Sequence, residues 1–248
     1  NAALLWRGAL GDREERRVQR RPQLTRIDAC HQRIRTLKRE VVLRRGGKLE
    51  QHQGQQPADA HREQSHPQCG RLRRWHGRGR LRYAVTPRFA ATSTPEQLAL
   101  AGRLARECPD ALVQTHWAEN PAEIQWTREL FPERASYLDV YRHYGLLGDH
   151  TVLAHGIHIN DHDRAVLAAT GTRIAFCPTS NTFLGSGLFD FAGARAAGVP
   201  VGLATDVGGG TSLSMLATMA EAYKVCRLRG QTLSPWQAFW GLETHQLE

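Results

Sequence analysis

Between Leu81 and Leu228 the chain repeats one unit five times: a short apolar run, an abrupt polar end, then a helical pattern. The runs are Leu81–Val85, Ala111–Thr115, Thr151–Ala154, Ile174–Cys177 and Val201–Thr205. Thr94-Pro95-Glu96-Gln97 opens a helix with a Thr cap, a proline at the first position and a glutamine at the third. That helix is predicted to run to about Glu107, with Leu98, Ala101, Leu104 and Ala105 on one face. Asn120-Pro121-Ala122-Glu123 opens the next in the same style. Further helices are expected over Asp161–Ala169, Phe189–Ala197 and Ser212–Leu228. Strands alternating with helices at this spacing argue for parallel βαβ units. In a parallel α/β barrel, reactive groups sit at the C-terminal ends of the strands.

The last unit, VGLATDVGGGTS (Val201–Ser212), reads as a closely packed strand that ends in an acid and three glycines. Asp206 sits at the strand end, where it can face a shared mouth or merely cap the next helix. Four strand ends together supply Arg88, His116 with Glu119, His155, and Asp206. On adjacent staves these side chains converge, and imidazoles with a carboxylate suit a zinc ion. Zinc would lower the pKa of a bound water towards 7, and a nearby glutamate could then pass protons. Taken singly, each has a plainer reading: a structural histidine, a helix-start glutamate, an arginine paired with a surface acid. Together, on four of the five strand ends, they are harder to assign to chance. His158 and His162, spaced by 3 and 4 from His155 and from each other, read as exposed loop or helix-start residues.

Charge divides the chain. Residues 1–80 hold 20 Lys/Arg against 8 Asp/Glu, whereas residues 81–248 hold 13 against 16. The net charge of +9 therefore belongs to the first third. Residues 1–74 are rich in Arg and Gln and keep no helical or strand period, apart from a possible helix over Ile27–Leu43. Three readings compete for this segment: a disordered basic tail, a nucleic-acid-binding arm, or an out-of-frame stretch of a GC-rich gene. The third is preferred, and no aromatic interleaving or groove-fitting motif supports the second. The expected organisation is thus a basic segment, 1–74, followed by a β/α domain, 75–248. Five cysteines (Cys30, Cys69, Cys108, Cys177, Cys226) show no CxxC spacing, which favours reduced thiols and a cytoplasmic protein. No signal peptide is seen, and no stretch approaches the ~20 apolar residues that span a bilayer.

From about Trp75 to Trp240 the sequence resembles the guanine deaminase branch of the amidohydrolase superfamily. The motifs are TPRF (Thr86–Phe89), QTHWAEN (Gln114–Asn120), AHGIH (Ala154–His158), FCPTSNTFLGSGLF (Phe176–Phe189) and ATDVGGGTS (Ala204–Ser212). Jointly, in this order and spacing, they are highly specific. The resemblance implies the C-terminal five strands of a TIM-type (β/α) barrel, with an irregular basic N-terminal segment. It implies hydrolytic deamination of guanine to xanthine and ammonia by a zinc-activated water. Arg88 and Phe89 would hold the purine, with His116, Glu119 and Asp206 also in contact with it. His116 and Asp206 would bind Zn2+, Glu119 would shuttle protons, and His155 would polarise the reacting centre. The partner is a small purine, with no membrane and no nucleic acid; a homodimer is compatible with the pattern. The site differs from the cytidine-type deaminase pattern of HxE with PCxxC, because here the glutamate lies at HxxE spacing.

Two departures matter. The family's first barrel strand carries a His-x-His pair of zinc ligands, and none of the 12 histidines forms one. Similarity also fades after Trp240, where GLETHQLE is not expected to continue a helix. Lacking two ligands, the chain as written is expected to be an impaired deaminase. The alternatives are an amidohydrolase acting on another aminated or halogenated heterocycle, a basic nucleic-acid-binding protein, and an inactive remnant.

Overall fold

The computed structural model describes residues 67–243, which lie within a compact unit spanning Gln56–Glu248. The expected helix over Ile27–Leu43 and most of the basic segment lie outside the described residues. The described part opens with helix α1 (Pro67–Trp75), so a helix precedes the change of pattern at Trp75. Leu72 of this helix is buried against the core.

Five strands form one sheet in sequence order: β1 (Ala84–Val85), β2 (Leu112–Trp117), β3 (Thr151–His155), β4 (Arg173–Phe176) and β5 (Val201–Leu203). Every neighbouring pair is parallel. The helices between them are α2 (Pro95–Glu107), α3 (Pro121–Leu130), α4 (Tyr137–His143), α5 (Asp161–Thr170), α6 (Pro178–Phe183) and α7 (Phe191–Ala196). After β5 come α8 (Met215–Leu228) and α9 (Pro235–Glu243). The α/β class and the repeated βαβ unit are as expected from the alternation.

The helix starts follow their capping residues closely. Thr94 Oγ1 accepts from Gln97 N at 3.2 Å, and α2 begins at Pro95. Asn120 and Glu123 close a reciprocal capping box at the head of α3. Strand ends follow their sequence signals less closely. β1 pairs over two residues rather than the expected five, and β4 and β5 stop one and two residues early. Pairing is decided by neighbouring strands, which no local pattern reports. Three helix limits also shift: α8 starts at Met215 behind its Ser214 cap, α7 spans only Phe191–Ala196, and α9 runs through to Glu243. The last corrects the expectation that GLE would break the helix.

Val85, Val113, Leu153, Ile174 and Leu203 of the strands meet Leu98, Leu104, Leu167, Ala222 and Val225 of the helices in one apolar core. The core thus covers the sheet and leaves the strand C-termini as a polar rim. Among the described residues Cys108, Cys177 and Cys226 lie outside any disulfide, and no helix is long and apolar enough to cross a membrane.

Asp190 ties three parts of the rim of helices together. Its carboxylate caps α7 at Gly193 N (3.0 Å), pairs with Arg164 of α5 (2.7 Å) and accepts from Gln231 beyond α8 (2.6 Å). Burial raises this carboxyl, but the Gly193 and Gln231 donors and the Arg164 and Arg229 guanidinia outweigh it, so its pKa lies below the ordinary value. In the unfolded chain an aspartate takes up its proton near pH 3.9. The stabilisation is therefore complete above that pH and is lost as pH falls through the lower folded value. D190N should cost about 1.5 kcal/mol at pH 7, the scale of a hydrogen bond to a charged group. The gap to wild type in urea unfolding should narrow at pH 3; an equal gap at both pH values would refute this.

Candidate active site

Each candidate side chain stands at or just beyond the C-terminal end of a strand. Arg88 and Phe89 follow β1, His116 is the penultimate residue of β2, His155 ends β3, and Asp206 follows β5. Three rim residues have left-handed backbone: Ala118 (φ 50°), His155 (φ 76°) and Asp206 (φ 45°). Such conformations cost about 1–3 kcal/mol each in a non-glycine residue and tend to gather at functional sites. Here they turn the chain sharply at the sheet edge, at or beside the groups that face the rim.

The structure brings Arg88, Phe89, His116, Glu119, His155 and Asp206 around one cavity of about 490 Å³. Asn120, Ala122, Glu123, Trp126, Leu184 and Gly209 complete its wall. Sequence reading missed Trp126 and Leu184 as site residues. Trp126 stands edge-on to Phe89 at 6.2 Å between ring centroids, and the Arg88 guanidinium lies 5.0 Å from the Phe89 ring centre. One side of the cavity is therefore flat and aromatic, suited to a planar heterocycle.

Backbone contacts pin this wall. The Arg88 carbonyl accepts from His116 N (3.0 Å) and from Thr115 Oγ1 (3.2 Å). The Tyr141 hydroxyl of α4 donates to the His116 carbonyl at 2.7 Å and accepts from Ala90 N at 3.0 Å. Burial pushes this phenol up to about 12, so it stays a donor at neutral pH. Glu119 N donates to Glu123 Oε2 at 2.9 Å, which joins the helix cap of α3 to the rim.

The two imidazoles carry their protons on opposite nitrogens. His116 Nδ1 contacts the Arg88 carbonyl at 2.9 Å; a carbonyl only accepts, so Nδ1 holds the proton and Nε2 keeps its lone pair. An imidazole fixed this way by a backbone carbonyl is the usual form of a metal ligand. His155 Nδ1 contacts Asn181 Nδ2 at 3.0 Å, and an amide nitrogen only donates; with the amide in this orientation, which leaves Asn181 Oδ1 buried without a partner, the neutral ring carries its proton on Nε2. That Nε2 is buried without a hydrogen-bond partner and lies 3.9 Å from Glu119 Oε2. Burial lowers the His155 pKa; Glu119 and Asp206 act to raise it and His116 to lower it further, so the ring stays neutral.

Among the described residues, one group has ligand atoms close enough to hold a metal ion: His155, Cys177 and Asp206, all within 4.8 Å of one another. Protonation argues against two of these three. His155 presents N–H rather than a lone pair, and burial, with Asp206 next, pushes the Cys177 thiol up to about 12. A protonated thiol is a poor ligand. Asp206 and the free Nε2 of His116 are the better-prepared donors. They fit a zinc ion in kind but supply two of the three or four protein ligands such an ion takes. No His-x-His pair exists in the sequence to make up the number.

The glycines after Asp206 serve the protein's own packing. A side chain at Gly210 would run into the Thr205 carbonyl and the Thr179 hydroxyl, so the turn can close only on glycine. His162 is exposed as expected, and so is His158. His158 nevertheless hydrogen-bonds the Ser186 carbonyl at 2.9 Å, a contact its spacing did not disclose.

A parallel sheet with a metal-prepared imidazole, a carboxylate and a neutral imidazole at one rim is the arrangement of a hydrolase of the β/α-barrel class. The model of the Amidohydrolase family matches residues 25–239, and the chain belongs to that family. The match begins well before Trp75, a wider span than the motifs alone mark. The chain is 52% identical over 169 residues to the guanine deaminase of Escherichia coli K12, covering 68% of this chain and 38% of that protein. It is 45% identical over 167 residues to a probable guanine deaminase of Deinococcus radiodurans, covering 66% of the chain and 38% of the relative. The solved structure of guanine deaminase from C. acetobutylicum with guanine bound in its active site superposes with a TM-score of 0.61 at 29% identity, over 63% of this chain and 39% of that one. The chain thus spans about two fifths of the length of these relatives, and among the described residues its five strands form an open sheet.

Proposed function

We propose that the cavity is the guanine-binding side of a deaminase site, in which guanine is hydrolysed to xanthine and ammonia. The observation that carries this reading is the convergence of His116, Glu119, His155 and Asp206 on one cavity beside an aromatic wall. The likeness to guanine deaminases supports the choice of purine. In this reading Phe89, with Trp126 behind it, stacks on the base, and Arg88 donates to an acceptor on the base edge. His116 and Asp206 would hold zinc. When bound, that ion makes hydroxide available near neutral pH.

The remaining steps belong to the chain's own groups. Asp206 takes the proton of the attacking water as its oxygen bonds to the amino-bearing carbon. The His155 Nε2–H donates to the oxygen that becomes electron-rich there. Glu119 moves the second proton of that water to the ring nitrogen beside the carbon, and the proton held by Asp206 passes to the amino group, so the carbon–nitrogen bond breaks to release ammonia as the carbon–oxygen double bond forms. With two imidazole ligands missing, zinc is held weakly and turnover is low while base binding persists.

Calorimetric titration of the purified chain with guanine tests this. Saturable binding is expected, and R88A should weaken it by ten- to hundredfold, the scale of a charge-assisted hydrogen bond. Absence of guanine binding would overturn the proposal. Stoichiometric zinc with rapid turnover would overturn the impairment alone.

A further inference from the structure

The loop after α6 holds a buried hydroxyl that the steps above do not use. Ser186 Oγ donates to Glu119 Oε1 at 3.0 Å, across 67 residues of sequence. Ser186 is 7% exposed, so water does not readily replace this contact. Resting on the guanine-site reading, we propose that Ser186 is a positioning residue for the proton-carrying carboxylate, holding Oε1 so that Oε2 alone faces the reacting centre.

The loop is anchored on three sides. Ser186 N donates to the Asn181 carbonyl at 2.9 Å. His158 Nε2 donates to the Ser186 carbonyl at 2.9 Å. Gly187 has φ 130°, and a Cβ there would lie 2.9 Å from Ile157 Cγ2, so only glycine lets the loop sit this close to the segment after β3. The hydroxyl is thus delivered from a fixed backbone.

Its partner is fixed as well. The Glu119 backbone rests on Glu123, and Oε2 lies 3.9 Å from the unpartnered Nε2 of His155. An oxygen that accepts from Ser186 keeps doing so whether the carboxyl is ionised or carries its proton on the other oxygen. Ser186 therefore selects Oε2 as the atom that gains and loses the proton. It also removes rotamer freedom that Glu119 would otherwise lose when substrate binds. One short helix serves both groups: Asn181 orients His155, and the loop that follows orients Glu119.

The test is a double-mutant cycle on guanine affinity in the full chain, using S186A, E119A and the pair. S186A should weaken binding about three- to tenfold, the scale of one net hydrogen bond. It should add nothing in the E119A background, and S186T should restore affinity to within about twofold of wild type. Equal weakening in both backgrounds, or none in either, would overturn the proposal. If S186A does not fold, S186C, nearly the same size with a weak donor, takes its place in the cycle. Should wild type not bind guanine, the guanine reading fails, and the crystal structure of S186A decides the Ser186 question. A Glu119 carboxylate turned away from His155 upholds it; an unmoved one overturns it.

Discussion

Glu123→Ala is expected to lower the unfolding free energy by about 2 kcal/mol, through the loss of the three hydrogen bonds its carboxylate accepts. Glu123 is 8% exposed and serves three donors at once. Oε2 accepts from Glu119 N (2.9 Å) and Asn120 N (3.4 Å), and Oε1 accepts from the Tyr137 hydroxyl at 2.7 Å. Hydrogen bonds to a charged group contribute about 1.5–3 kcal/mol, whereas the Asn120 cap, which accepts from the residue 123 backbone N, stays in the alanine variant. Burial holds the Tyr137 phenol protonated, so its hydroxyl stays a donor and falls back on the His116 carbonyl at 3.4 Å. Glu123→Gln, which keeps an acceptor at the same place, should recover more than half of the loss. Urea unfolding of the purified chain measures both; a loss below 1 kcal/mol for the alanine variant would refute the argument. The same substitution frees Glu119 N, so guanine affinity should fall with stability.

Phe176→Ala is expected to cost 3–5 kcal/mol, the range for emptying a large aromatic site in a packed core. Phe176 is fully buried, and its ring meets that of Phe189 with centroids 4.8 Å apart. Its carbonyl accepts from Ala204 N at 2.9 Å, so the residue also ties β4 to the strand that leads to Asp206. The alanine variant keeps that backbone bond and loses the ring, leaving Phe189 without its partner. Phe176→Leu, closer in volume, should cost about 1.5 kcal/mol or less. Helix α6 starts at Pro178, two residues on, and carries Asn181. The loss should therefore reach the site, through the hydrogen bond that sets the His155 tautomer. A chemical-denaturation midpoint within 1 kcal/mol of wild type would show that the core collapses around the gap instead.

Much of the architecture was legible along the chain because its signals are local. The capping residues Thr94 and Asn120 act within one helical turn, and the helices they start begin where the pattern puts them. The alternation of strand and helix needs only windows of some ten residues, and it led directly to a parallel sheet. Helix α6 was overlooked although Pro178 offered a first-position signal, because FCPTSNTF was read as a strand end. Trp126 could have been flagged as a large aromatic on an otherwise polar helix, but its spacing does not say which way it points.

The order of residues in the chain determined which chemistry is present: the motifs of the Amidohydrolase family, a strand-end imidazole on β2 and another on β3, and no His-x-His pair. Residue identity is enough for that, since motifs and ligand types are properties of the string. What only the folded chain decided is which nitrogen of each imidazole carries the proton, and which oxygen of Glu119 is free. His116 meets a carbonyl and His155 meets an amide nitrogen, and these partners lie 28 and 26 residues away. Proton positions follow from the partner's ability to give or accept a hydrogen bond, and that partner exists only once the strands are side by side.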